Sequence, residues 1–173
     1  MSGITVFGGT GFTGRHLVAL LLQSGARVRV AVRHPSRVQM PTQSVPAPEI
    51  IQADVLEDVA VGAAIARADA VVNLVGILTE TTTQKYRAIH VDGARRVALA
   101  AQRHGVRRVI HISALGASPT SPAISDRTKA EGEQAVRAVF PQATIVRPAS
   151  YLARMITSSA GSPPWLGAVP FCH

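Results

Sequence analysis

A run of glycines, Gly8-Gly9-Thr10-Gly11-Phe12-Thr13-Gly14, stands between a short apolar segment and a helical one, and it satisfies both G-x-G-x-x-G and G-x-x-G-x-x-G. Side chains at the inner glycines would hold the backbone away from a pyrophosphate. The N–H groups of Phe12 and Thr13 open the following helix at the end where its dipole favours an anion. Gly14 lets that helix pack closely on the strands. In this context the run reads as a dinucleotide-binding turn, the plain alternative being a glycine-rich turn that binds nothing.

Where the second strand ends, domains of this type that prefer NAD place an Asp or Glu to accept hydrogen bonds from the ribose hydroxyls. This chain has Arg33 there. A guanidinium cannot accept those bonds but pairs bidentately with a 2′-phosphate, and Arg37 is close enough to add a second charge. NADP(H) is therefore favoured, NAD(H) stays open, and the plain reading is that both arginines are solvated surface groups. Asp54, after the third strand, is placed to reach an adenine edge or to cap the helix that follows, two compatible roles. No metal site is expected. His16, His90, His104 and His111 lack ligand spacing and read as helix-surface or strand-end groups, and the single Cys172 leaves neither an internal disulfide nor a zinc cluster.

These residues need a scaffold of alternating strands and helices. Strand-length apolar runs occupy residues 4–7, 27–32, 49–53, 70–77, 109–113 and 143–146, and helical periodicity marks 14–24, 59–67, 83–104 and 127–140. Gly25 and Gly105 sit where helix C-caps belong, and residues 41–48 form a proline-rich loop. The run at 70–77 is almost wholly apolar, as in a central parallel strand buried on both faces, and along 83–104 a stripe of Tyr86, Ile89, Gly93, Val97 and Ala101 shares one side. Right-handed crossovers then predict an α/β fold, a doubly wound Rossmann sheet of order 3-2-1-4-5-6.

The chain has 173 residues, enough for one such domain and too few for two of full size. Its net charge of +8 comes from sixteen arginines and two lysines, Lys85 and Lys129. The arginines are spread over all segments without an interleaved aromatic platform, so a nucleic-acid partner is not expected, and the charge reads as a solvated surface suited to a phosphate-bearing cofactor or an anionic membrane. No apolar run near the start approaches the roughly 18 residues of a transmembrane span. With no export leader before the glycines, a cytoplasmic location is expected.

The Gly8–Gly14 turn, the Ala53-Asp54-Val55 step, Val72-Asn73-Leu74-Val75-Gly76, His90-Val91-Asp92-Gly93 and His111-Ile112-Ser113 together resemble an atypical extended short-chain dehydrogenase/reductase. Within that superfamily, Thr128-Lys129-Ala130-Glu131-Gly132-Glu133 and the run from Phe140 to Pro148 are similar to the nucleotide-binding accessory subunit of mitochondrial complex I and its bacterial relatives. The resemblance implies that Gly8, Thr10, Gly11, Val55, Val75, Gly76 and Pro148 line the cofactor. It also implies that Lys129 bonds the nicotinamide ribose, and that a respiratory or membrane-peripheral partner at the inner membrane is in play.

Superfamily chemistry uses a Tyr-x-x-x-Lys pair in which the lysine lowers the phenol pKa for proton transfer. Lys129 matches the lysine, but Ser125 occupies the tyrosine position. A serine hydroxyl is far less acidic and shorter by a ring. Ser113 stands where the superfamily often places a substrate-polarising serine, or else caps its loop. Three functions remain open: a cofactor-binding protein with little or no turnover, an NAD(P)-dependent oxidoreductase or sugar-nucleotide epimerase using another proton donor, and a redox-sensing module.

The resemblance covers about residues 3–148, so 1–148 is expected to be the dinucleotide domain, without a C-terminal substrate lobe. Residues 149–173 turn to Ser, Pro, Trp and Cys without periodicity. They are expected to be a disordered tail from a shifted reading frame, because codons for 149–159 exist that read Ile-Val-Phe-Gly-Pro-Asp-Asp-His-Phe-Phe in another frame, a pattern that relatives carry after the Arg-Pro step.

Overall fold

The computed structural model describes residues 3–38 and 47–148; most of the proline-rich loop at 41–48 and all of the tail at 149–173 lie outside the described residues. β-Branched residues dominate the strands β1 (Gly3–Phe7), β2 (Arg27–Val32), β3 (Glu49–Gln52), β4 (Ala70–Asn73), β5 (Arg108–Ile112) and β6 (Thr144–Val146). They form one parallel sheet in the expected order β3-β2-β1-β4-β5-β6. Strands are added on one side of β1 up to β3 and on its other side from β4 on, and the switch point between β1 and β4 opens a crevice at the carboxyl ends of the strands.

Helix α1 (Phe12–Gln23) covers one face, where Val18 and Leu22 pack on Val6, Val28, Val30 and Val72. The opposite face carries α2 (Asp58–Ile65), α3 (Ala94–Arg103) and α4 (Ile124–Val139), which bury Val61, Ile65, Val97 and Val136 against Phe7, Val71 and Val109. Thr5 Oγ1 donates to the Ala64 carbonyl at 2.8 Å, and Arg29 Nη1 donates to the Ala64 and Ala66 carbonyls at 2.9 Å. A hydroxyl and a cation from the sheet thus cap the carbonyl end of α2, as the helix dipole favours. Gly25 and Gly105 end α1 and α3 with positive φ, as expected of helix C-caps.

Three elements depart from the sequence expectation. The apolar run at 70–77 stays in the sheet only to Asn73, whose Oδ1 accepts the Val75 N–H at 3.1 Å and turns the backbone out over the crevice. Residues 83–104 are not one regular helix, since helix begins at residue 86 and Ala88–Gly93 is a π-helical segment running straight into α3. The wider turn brings Ile89, His90, Val91 and Gly93 all inward, which a regular helical stripe cannot do. Finally, α4 begins at Ile124 instead of 127, so Ser125 lies in its first turn.

Candidate dinucleotide site

At the carboxyl ends of β1, β2 and β4 lies a cleft of about 530 Å³. Its walls include Gly8, Thr10, Gly11, Arg33, Arg37, Asp54, Val55, Val75 and Gly76, so nine of the expected cofactor residues converge from four separate stretches of chain. Gly11 is the N-cap of α1 in extended conformation, leaving the Phe12 and Thr13 amides at the first turn, beside the cleft mouth. The glycine cradle leaves no space for side chains. A Cβ on Gly14 would stand 2.2 Å from the Gly8 carbonyl oxygen and 2.6 Å from Gly9 Cα, and one on Gly9 would stand 2.7 Å from Val30 Cγ1. Gly14 thus seats the helix on the turn itself as well as near the strands.

Arg33, His34 and Arg37 follow β2 at one end of the cleft, the last within a 3₁₀ turn, Pro35–Arg37. Arg15 also lines the cleft. Sequence reasoning missed it, although its place directly after Gly14 puts it on the first turn of the helix behind the cradle. Asp54 lines the cleft, but its capping role differs from the expected one. Its Oδ1 accepts the Leu56 N–H at 2.9 Å and closes a local turn, whereas the N-cap of α2 is Glu57.

Behind the other end of the cleft, walled by Val75, Gly76, Ile77 and Ile89, lie buried polar groups. Lys129, on α4, donates from Nζ to the Ile112 carbonyl at 3.3 Å, and its Nζ lies 2.8 Å from where a Cβ on Gly76 would stand. The lysine therefore touches the cleft wall without lining the cleft. Burial pushes its pKa down to about 8, with Glu133 opposing the shift. Ser113 is buried at the end of β5, its N–H donating to the Val146 carbonyl at 2.8 Å. Ser125 sits one helical turn before Lys129, and Pro148 follows β6, so neither lines the cleft.

Two histidines expected on surfaces or strand ends are buried instead, each 1% exposed. The π-helical turn carries His90 inward, and His111 lies on the β5 face covered by α4. Burial first, then the charge of Lys129, lowers both imidazoles to about 4. His111 Nδ1 meets Asn73 Nδ2 at 3.3 Å.

Glu133 was also missed. It is 2% exposed and receives a two-pronged contact from Arg147, Nε to Oε1 and Nη2 to Oε2, both at 2.7 Å. Burial alone would raise its pKa, but the Arg147 fork, helped by the nearby Ser113 hydroxyl, holds it below the ordinary carboxylate value. Its i,i+4 spacing from Lys129 was the available signal.

Chemically, the cradle offers backbone donors and no side-chain bulk to a pyrophosphate, the arginine end offers charge to a further phosphate, and Lys129 adds a cation at the far end. The residues fit a dinucleotide. Among the described residues no cluster suits a metal ion, and no helix is long and apolar enough to cross a membrane.

Comparison with known proteins agrees. The 40 kDa subunit of mitochondrial NADH-ubiquinone oxidoreductase from Neurospora crassa is 36% identical over 147 residues, 84% of this chain and 39% of that protein. Ceramide reductase from Caulobacter vibrioides is 34% identical over 149 residues, 84% of this chain and 45% of that protein. The chain thus spans less than half the length of these curated relatives. Among solved structures, a short-chain dehydrogenase/reductase superfamily protein from Agrobacterium tumefaciens with bound NAD superimposes with a TM-score of 0.68 at 26% identity, covering 84% of this chain and 48% of that one. The NAD(P)H-binding family model matches residues 8–158, from the glycine turn through α4 and past Pro148. With its cradle, its switch-point cleft and this match, the chain belongs to the NAD(P)H-binding family.

Proposed function

We propose that this domain holds NADP(H) in preference to NAD(H) and turns it over little or not at all. The observation that carries the preference is Arg33 at the end of β2, with Arg37 and Arg15 beside it on the same cleft. No carboxylate follows β2 to accept from a ribose 2′-hydroxyl, whereas a guanidinium pairs with a 2′-phosphate. When bound, the cofactor supplies a hydride donor or acceptor at its nicotinamide ring. The chain's part is to seat the pyrophosphate on the Gly8–Gly14 turn, line the adenosine with Asp54 and Val55, and face the nicotinamide half with Val75, Gly76 and Lys129.

Low turnover rests on Ser125 where a proton-shuttling tyrosine would stand. The Neurospora relative is a subunit of NADH-ubiquinone oxidoreductase, and in this chain a bound cofactor would then serve a respiratory or membrane-peripheral assembly. A reductase reading is favoured by a different observation. Lys129 is held at about 8, near working pH, with Ser113 nearby, and the Caulobacter relative is a reductase.

Titrating the full chain with NADPH and NADH tests the preference. Arg33→Asp should lower NADPH affinity by about 1.5 to 3 kcal/mol, the worth of a charge-assisted hydrogen bond, while sparing NADH. Equal affinity for the two cofactors in the parent overturns it. Turnover of NADPH with aldehydes, quinones or sugar nucleotides at about 10 per second would replace the low-turnover reading with the reductase one.

A further inference from the structure

His90 meets three parts of the molecule at once. Its Nε2 accepts the Ile77 N–H at 3.1 Å, on the stretch that leaves β4 to wall the cleft. Its Nδ1 meets Thr128 Oγ1 at 3.0 Å, next to Lys129, and that hydroxyl bonds the carbonyls of Ile124 and Ser125 at 3.0 and 2.9 Å. The backbone of His90 is pinned as well, since Gly132 packs so closely that a Cβ there would lie 2.1 Å from the His90 carbonyl oxygen.

The hydrogen bonds are consistent with one tautomer only. With Nε2 accepting from a backbone amide, Nδ1 carries the proton and donates to Thr128, whose hydroxyl passes its own proton to α4 carbonyls. The ring stays neutral in its buried setting, so the chain of bonds persists at ordinary pH. The π-helical segment is what makes the arrangement possible. It turns His90 inward beside Ile89, which itself lines the cleft.

We infer that His90 is a positioning residue for the cofactor: by accepting the Ile77 amide proton while donating to Thr128, it locks the Gly76–Ile77 wall of the cleft to the part of α4 that carries Lys129. Resting on the cofactor-binding reading above, the inference extends it to a residue outside the glycine and arginine constellation. His90 does not touch the adenosine end, so its loss should be felt in one half of the ligand only.

The experiment compares His90→Ala, His90→Gln and His90→Asn in the full chain, using NADPH and adenosine 2′,5′-bisphosphate as probes, with hydrogen exchange read at the Ile77 amide. A glutamine Oε1 reaches roughly the place of Nε2, and an asparagine Oδ1 only that of Nδ1. His90→Ala and His90→Asn should weaken NADPH binding about tenfold and release the Ile77 amide, the adenosine bisphosphate staying within about twofold of the parent. His90→Gln should restore NADPH affinity and Ile77 protection. Equal weakening of both probes, or an Ile77 amide as protected in the alanine variant as in the parent, overturns the inference. If His90→Ala does not fold, the glutamine and asparagine variants decide it. A parent that binds neither probe defeats the cofactor reading instead, and Ile77 exchange in the free protein still judges the role of His90.

Discussion

The half of the cleft over β1 to β3 is made of bare backbone and open arginines, whereas the half beside β4 is backed by buried polar side chains tied by hydrogen bonds to distant segments. In the first, function depends on what is missing, because a Cβ on Gly14 would collide with backbone and one on Gly9 with the Val30 side chain. Its arginines are exposed and would meet a phosphate with both charge and side-chain donors. In the second, function depends on what is enclosed: Lys129, His90, His111 and Glu133 sit within one network whose protonation states are set by burial and by each other. One half should therefore be sensitive to bulk and to salt. The other should be sensitive to acid.

The largest effect should come from bulk. Gly14→Ala forces a methyl to within 2.2 Å of the Gly8 carbonyl oxygen. Displacing that backbone should cost about 3 kcal/mol, lower the melting temperature by about 10 °C and abolish dinucleotide binding. A variant that melts and binds like the parent would show that the cradle has slack.

Acid comes next. The two imidazoles have folded values near 4 against an ordinary 6.5, so between those pH values the unfolded chain binds more protons. Their contribution is complete above pH 6.5 and is lost as pH falls toward 4. Glu133 acts in the same direction lower down, its contribution present above the ordinary 4.5 and lost as pH falls through its depressed folded value. Urea unfolding at pH 7.5, 6 and 5 should show stability declining by about 2 kcal/mol for each imidazole. His111→Gln should flatten part of that slope, and a flat parent profile would mean the histidines are open to solvent.

The smallest effect should come from charge at the open end. Arg15→Ala should weaken NADPH about threefold, as an exposed ionic contact does, with NADH less affected and the difference shrinking at high salt. An unchanged NADPH affinity would remove Arg15 from the phosphate end and leave Arg33 and Arg37 as its cations.

Much of the first half was legible because its signals are local. The glycine spacing, Arg33 at a strand end and Asp54 at another are each readable within a few residues, and all reach the same cleft. The second half was legible only in part. Lys129 and Ser113 were found through resemblance, while His90 and His111 were read only as helix-surface or strand-end groups and Glu133 and Arg147 were passed over. Their side-chain partners lie 38 residues away, Thr128 for His90 and Asn73 for His111, and the nearer Ile77 contributes a backbone amide that its residue type does not advertise.

By itself, the order of apolar runs and glycine breaks determined the sheet and the site of its cleft, because parallel β-α units have one favoured crossover hand and the switch point follows from it. Only the tertiary structure decided where the apolar run after β4 leaves the sheet and how the helix before α3 widens. Asn73 draws the backbone out by accepting the Val75 amide, and the widened turn seats the His90 carbonyl against Gly132. The second rests on a contact between distant segments and the first on a local side-chain turn inside an apolar run, and hydrophobic periodicity along the chain records neither.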